Sequence, residues 1–318
     1  MQSSDDIRQI SVTAPRNLGV VSLSYQLFGQ SLATHPVVMI NHALTGDAQI
    51  TGKRGWWRQL VGPGKTIDTN RFAIVAFNIP GNGVLDSQLN NYTDFHTGDI
   101  AELFYQGLEQ LGIQKLFAVI GGSIGGCIGW EFMVQHSSMV EHFIPIATDW
   151  KATDWLIANT YLQDQILKNS SNPVHDARLH AMMCYRTPES FAYRFQRTVN
   201  EEAQMFNVET WLHHHGEKLK RRFSLHSYLT VNHLLRSVNS ERNGTSLAKT
   251  LTTAKTQFHL IGIDSDLFFT PNQIQTTFET LKTEGVTVSY AEIQSLHGHD
   301  AFLIEYEQMD QFLTPIFH

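Results

Sequence analysis

A serine set between closely spaced glycines, Gly121-Gly122-Ser123-Ile124-Gly125-Gly126, is the feature of this chain best suited to covalent chemistry. It fits G-x-S-x-G, follows the apolar run Leu116-Phe117-Ala118-Val119-Ile120, and precedes a helix-like stretch beginning around Ile124. A serine on such a strand-to-helix turn projects its hydroxyl above a sheet, and glycines on either side keep the crossing chains from clashing. The Ile124 amide then points at the oxygen of a bound carbonyl, helped by the positive end of the helix. Three fixed residues also arise by accident in helix-capping turns, so the flanking strand and helix carry much of the weight.

A nucleophilic serine needs a base, and the base needs an orienting acid. Downstream, Ile261-Gly262-Ile263-Asp264-Ser265-Asp266-Leu267-Phe268 forms an acidic loop at a strand's carboxyl end. Past a further strand comes Leu296-His297-Gly298-His299-Asp300-Ala301-Phe302. Serine, acid and histidine thus occur in an order that one large class of hydrolytic folds uses. Within these loops Asp264 competes with Asp266, and His297 with His299. A second donor for a developing oxyanion belongs in the loop Asn41-His42-Ala43-Leu44-Thr45-Gly46-Asp47, which lacks the HGGG run of many esterases.

The elements that must hold these loops are legible as strands alternating with helices. Segments 10–14 and 20–29 are β-rich and partly alternating, as in an antiparallel edge. Runs at 37–40, 72–77 and 116–120 do not alternate, which suits strands covered on both faces, and further strands are read at 142–146, 257–262 and 286–290. The stretch DIAELFYQGLEQLG (99–112) has helical spacing and stops at Gly112, and EYEQMDQFLTPIF reads as a closing helix. Between about 150 and 255 the sequence is helical without a clear buried strand. The pattern predicts an α/β fold with a mostly parallel central sheet flanked by helices. Residues 1–150 and 256–318 form its core, and 151–255 is a helical lid inserted at the strand ends, where loops carry function.

Composition narrows the function classes. The chain has 318 residues, and 23 basic against 30 acidic side chains give a net charge of −7, unsuited to general nucleic-acid or anionic-membrane binding. No run approaches the roughly 18–20 apolar residues of a membrane helix. The N-terminal MQSSDDIRQISV has no basic region followed by an apolar run, and two cysteines cannot form a disulfide framework, so a cytoplasmic location is expected. His213-His214-His215 beside Glu217 suggests a metal site, but adjacent helical histidines point in different directions, and no metal is expected. Cys127 reads as a small buried residue of the elbow helix, and Trp56-Trp57 as packing. Gly62-Pro63-Gly64-Lys65 lacks the full phosphate-loop pattern.

Taken in order, NHALTGDA (41–48), GWWRQLVGPGKTIDTNRFAIVAFN (55–78), GGSIGG (121–126), ARLHAMMCYRTPESFAYRF (177–195), SDLFF (265–269) and GHDAFL (298–303) resemble the homoserine O-acetyltransferase family. The resemblance runs from about residue 20 to the C-terminus. It implies an α/β-hydrolase fold with a helical lid, and a ping-pong acyl transfer from acetyl-CoA to the side-chain hydroxyl of L-homoserine, a step of methionine biosynthesis. It implies no permanently bound cofactor and a homodimer joined through lid helices. Carried over by position, Ser123 is the nucleophile, His299 its base and Asp266 the orienter. The Leu44 and Ile124 amides form the oxyanion hole, Ile124 standing where the family usually has methionine. Arg178 and, seven residues on, Tyr185 match the family's lid pair. Arg178 would grip the acceptor's carboxylate in its fork, and Asp300 would meet its ammonium.

One segment departs from the family. Where its members commonly show a glycine-rich stretch with a cysteine, this chain has Asn78-Ile79-Pro80-Gly81-Asn82-Gly83-Val84-Leu85-Asp86. That leaves open O-succinylation, serine as acceptor, and a plain esterase or thioesterase. A catalytically silent module is disfavoured by the complete serine, acid and histidine set.

Overall fold

A computed structural model describes residues 6–86 and 88–318. Eight strands form one sheet: β1 (Arg8–Thr13), β2 (Val20–Gly29), β3 (Val37–Asn41), β4 (Ala73–Phe77), β5 (Leu116–Gly122), β6 (Val140–Ile146), β7 (Gln257–Ile263) and β8 (Val288–Ile293). Their spatial order is β1-β2-β4-β3-β5-β6-β7-β8. Only β2 runs against the rest, pairing antiparallel with both β1 and β4. The remaining pairs are parallel.

The non-alternating runs have a simple cause. Met39, Val75, Phe77 and Val119 enter one packed layer, while Val38, Ile40, Ile74, Ala76, Ala118 and Ile120 enter the other. Side chains still alternate between faces, but both faces are dry, so no polar residue marks the period. Helices α1 (Thr97–Gln110) and α2 (Ile124–His136) supply Ile100, Phe104, Cys127 and Trp130 to the first layer. The last helix, α10 (Tyr306–Phe317), supplies Met309, Leu313 and Phe317 to the second.

Two boundaries differ from the sequence pattern for reasons of hydrogen bonding. The α1 helix begins at Thr97 because His96 and Asp99 form a reciprocal capping box. The last strand begins at Val288 and not at Val286. The Val286 amide instead donates to the Leu281 carbonyl at 3.0 Å, closing the end of α9 (Pro271–Thr283). The strand then continues to Ile293, in register with Ile263.

Between β6 and β7 the chain rises into α3 (Asp154–Asn169), α4 (Pro173–Tyr185), α5 (Pro188–Phe195), α6 (Asn207–Lys220) and α7 (Leu225–Arg236). Its neck is closed by main-chain bonds of 3.0 Å from Ala152 to Val238 and from Ser240 to Trp150. A short exposed hairpin pairs Val199–Asn200 with Met205–Phe206. Helix α8 (Leu247–Leu251) lies on the sheet side of the neck, where Leu247, Ala248 and Leu251 are buried against the core with α2. No described helix is long and apolar enough to cross a membrane.

Candidate active site

Ser123 sits between β5 and α2 with φ 55° and ψ −132°, a conformation that costs a non-glycine residue energy. Its amide donates to the Ile146 carbonyl (3.0 Å), and its carbonyl accepts from Gly126 (2.9 Å) and Cys127 (3.0 Å), so the strain is held from both sides. The flanking glycines are steric requirements. A Cβ on Gly121 would lie 2.7 Å from the Gly125 carbonyl carbon, and one on Gly125 would lie 2.6 Å from the Asn41 oxygen.

Distance resolves the competing acids and histidines. His299 Nε2 lies 2.9 Å from Ser123 Oγ, and His299 Nδ1 lies 2.7 Å from Asp266 Oδ2. The other Asp266 oxygen accepts the Phe268 and Phe269 amides at 2.7 and 3.0 Å, which fixes the carboxylate's orientation. Asp264 instead accepts the Ser295 amide at 2.9 Å and braces a turn. His297 faces Ser190 Oγ (3.0 Å) and Arg186 (3.2 Å) on the inserted helices. Ser123, Asp266 and His299 are all buried, and Tyr185, Phe268, Phe269 and Phe302 surround the imidazole with ring centroids 5.2–5.9 Å away. This apolar collar shields the imidazole from bulk water.

The Ile124 amide opens α2, where the helix supplies no internal acceptor. Leu44 lies in the facing loop, which is built around His42. Ile79 donates its amide to His42 Nε2 at 3.0 Å, so the ring's proton is on Nδ1, which donates to the Ala43 carbonyl at 2.8 Å. Burial lowers the His42 pKa and keeps the ring neutral in this bridging role. Asn78 Oδ1 accepts the Ala48 amide at 2.9 Å, and the Asn82 amide lies 3.3 Å from that same oxygen. The divergent 78–86 segment therefore clasps the loop that carries Leu44. The sequence pattern separated these two stretches. A signal was present in the polar residues His42, Asn78 and Asn82 at the exits of apolar strands.

The lid residues are only partly gathered. Tyr185 ends α4 against His299, and the Arg178 guanidinium lies 5.7 Å from the Tyr185 ring centroid without an acidic partner among the described residues. Burial pushes the Tyr185 phenol well above its ordinary pKa. Asp300 is turned away into an ion pair with Arg186 at 3.0 Å. Arg186, one residue past Tyr185, was missed by sequence reading because its partner is 114 residues away. Leu44, Tyr185 and Phe268 also line a small cavity reaching Gln163 and Tyr228 between the helices. Cys127 is buried, its thiol pushed up to about 12 by desolvation. Among the described residues no three metal-ligating side chains cluster.

A family model for the alpha/beta hydrolase fold matches residues 36–172. The homoserine O-acetyltransferase of Methanocorpusculum labreanum is 32% identical across 96% of this chain and 72% of its own length. The chain belongs to the homoserine O-acetyltransferase family. The corresponding enzyme of Methanobrevibacter ruminantium is 30% identical across 96% of this chain and 71% of its own. Solved structures share the fold: the homoserine O-acetyltransferase of Bacillus anthracis superposes with a TM-score of 0.84 at 18% identity, covering 98% of this chain and 97% of that one. Esterase E22 gives the same TM-score and identity over 98% and 100%. Transferase and esterase thus share one architecture, and the chemistry must be argued from the site.

Proposed function

We propose that the protein transfers an acetyl group from acetyl-CoA to the side-chain hydroxyl of L-homoserine through an acyl-serine, as a step of methionine biosynthesis. The observation that carries this reading is the hydrogen-bonded run Asp266–His299–Ser123, buried beneath inserted helices in a member of this family. His299 Nε2 takes the Ser123 proton as Oγ attacks the thioester carbonyl. The Leu44 and Ile124 amides receive the oxyanion, and coenzyme A leaves as its thiol, taking from His299 the proton that Ser123 gave up. The homoserine hydroxyl then gives its proton to His299 and attacks the acyl-serine, releasing O-acetylhomoserine and restoring Ser123. Arg178 is the cation offered to the acceptor's carboxylate. Asp300 is offered to the ammonium, a role in which substrate competes with Arg186. Acetyl-CoA is a substrate and no resident cofactor takes part. The working unit we propose is a cytoplasmic homodimer.

The test is thiol release from acetyl-CoA by the purified protein, with and without homoserine. Homoserine-dependent release that Ser123→Ala abolishes supports the reading. Equal release without any amino acid, or a faster reaction with succinyl-CoA or with serine, overturns it.

A further inference from the structure

Beyond the loop that carries Leu44, a solvent-open groove of about 330 Å³ is lined by Gly83, Lys220, Arg221, Arg222, Ser224 and Ser227. Three consecutive cations thus share one concavity in a chain whose net charge is −7. Neither Lys220 nor Arg221 has a carboxylate within ion-pair distance among the described residues. Like charges held together repel, and a concave wall focuses their field outward, the arrangement that collects an anion. Arg222 joins this groove to the reacting centre. Its guanidinium donates to the Thr45 carbonyl at 2.6 Å, one residue past the Leu44 amide. Burial lowers the Arg222 pKa, the nearby Asp47 carboxylate opposes that, and the charge of Arg178 adds to it, so Arg222 stands within electrostatic reach of both an acid and a second cation.

We propose that this groove seats the phosphate groups of the acyl donor. The thioester then reaches Ser123 along the wall formed by Thr45 and Arg222, and Lys220 and Arg221 pair with the phosphates. The inference rests on the acyl-CoA reading above and identifies its donor subsite. The groove accounts for how an acidic protein recruits a polyanionic substrate. It also accounts for the absence, among the described residues, of an ion-pair partner for Lys220 and Arg221.

The experiment compares acetyl-CoA with S-acetylpantetheine, which ends before the first phosphate, in the wild type and in Lys220→Glu/Arg221→Glu. Arg222 is left in place because it touches the loop. Removing two such pairs and reversing their charge should raise the KM for acetyl-CoA about tenfold or more relative to that for S-acetylpantetheine. Added salt should erase the wild-type preference for acetyl-CoA. A wild type that handles both donors with the same KM, or a variant that loses both equally, overturns the proposal. Calorimetric binding of desulfo-CoA and of 3′,5′-ADP separates this from the transfer reading. Binding that the double variant abolishes upholds the groove even if no thioester is turned over, and absent binding refutes it. Lys220→Gln/Arg221→Gln, with thermal melting beside each assay, guards against a folding defect and should give a smaller shift in the same direction.

Discussion

Gly125→Ala separates two opposed effects at the nucleophile turn. Gly125 lies in the first turn of α2 with no left-handed backbone requirement, so alanine gains up to about 1 kcal/mol of helix propensity. Against this, the new Cβ would meet the Asn41 and His42 carbonyl oxygens at 2.6 and 2.7 Å and the Asn41 carbonyl carbon at 2.9 Å. Ordinary contact begins near 3.4 Å, so roughly 0.8 Å must be found between α2 and the exit of β3. Both sides are backbone, and Asn41 Nδ2 ties them together through the Gly125 carbonyl at 3.1 Å. Overpacking of this kind typically costs about 1–3 kcal/mol against that gain, and the net loss of up to about 2 kcal/mol should lower Tm by up to about 6 °C. The displaced part is the one that carries Leu44 and Ser123, and misplacement approaching 1 Å costs about 10²-fold in rate. We therefore expect kcat/KM to fall about 10–100-fold with acetyl-CoA and with p-nitrophenyl acetate alike, since in the proposed mechanism both acyl groups rest on the Leu44 and Ile124 amides. Steady-state kinetics beside thermal melting reads both quantities. A variant with unchanged activity and an unchanged or raised Tm would refute the reasoning that the elbow glycines are steric requirements.

Further outcomes follow from the same geometry. Asp266→Asn preserves shape but cannot stabilise the imidazolium, and kcat should fall about 10³–10⁴-fold with little loss of fold, checked by kinetics and circular dichroism. Arg186→Met leaves Asp300 without its partner next to His299. It should cost about 1–3 kcal/mol in denaturant unfolding, and Arg186→Met/Asp300→Asn should cost less than the two single changes together. His259 is held down to about 4 by burial and by His142, whose Nδ1 lies 3.1 Å from it, with Ser289 on its other side and Glu141 beside His142. The unfolded chain protonates first, near pH 6.5, so His259's contribution to stability is complete above that pH. It is lost as pH falls toward 4, and His259→Gln should flatten the slope of Tm against pH across this window.

The contrast between what was and was not legible in the sequence is physical. Ser123 stood out because its strained turn forces glycine at fixed offsets, a local rule that leaves a local pattern. The alternation of strands with helices was visible in the same way, since burial on both faces removes polar residues from β3, β4 and β5. Asp266 and His299 could be narrowed only to neighbouring pairs, because Asp264 and His297 lie two residues away in the same loops. A resemblance to a family chose between them, and separation in space shows the chosen pair facing Ser123. Arg186 was not legible, and the clasp of His42 on Ile79 left only polar residues at the strand exits as a trace. Each joins segments whose proximity depends on the whole sheet, and neither leaves a periodic trace.

In the proposed mechanism Ser123 carries the acyl group and passes it to an amino-acid hydroxyl in preference to water. Its most direct test is the fate of labelled acetyl groups from acetyl-CoA as homoserine is varied. O-acetylhomoserine should rise and free acetate fall with homoserine concentration, with label trapped on the Ser123 peptide when the acceptor is withheld. Acetate released at a constant rate whatever the homoserine concentration would contradict it.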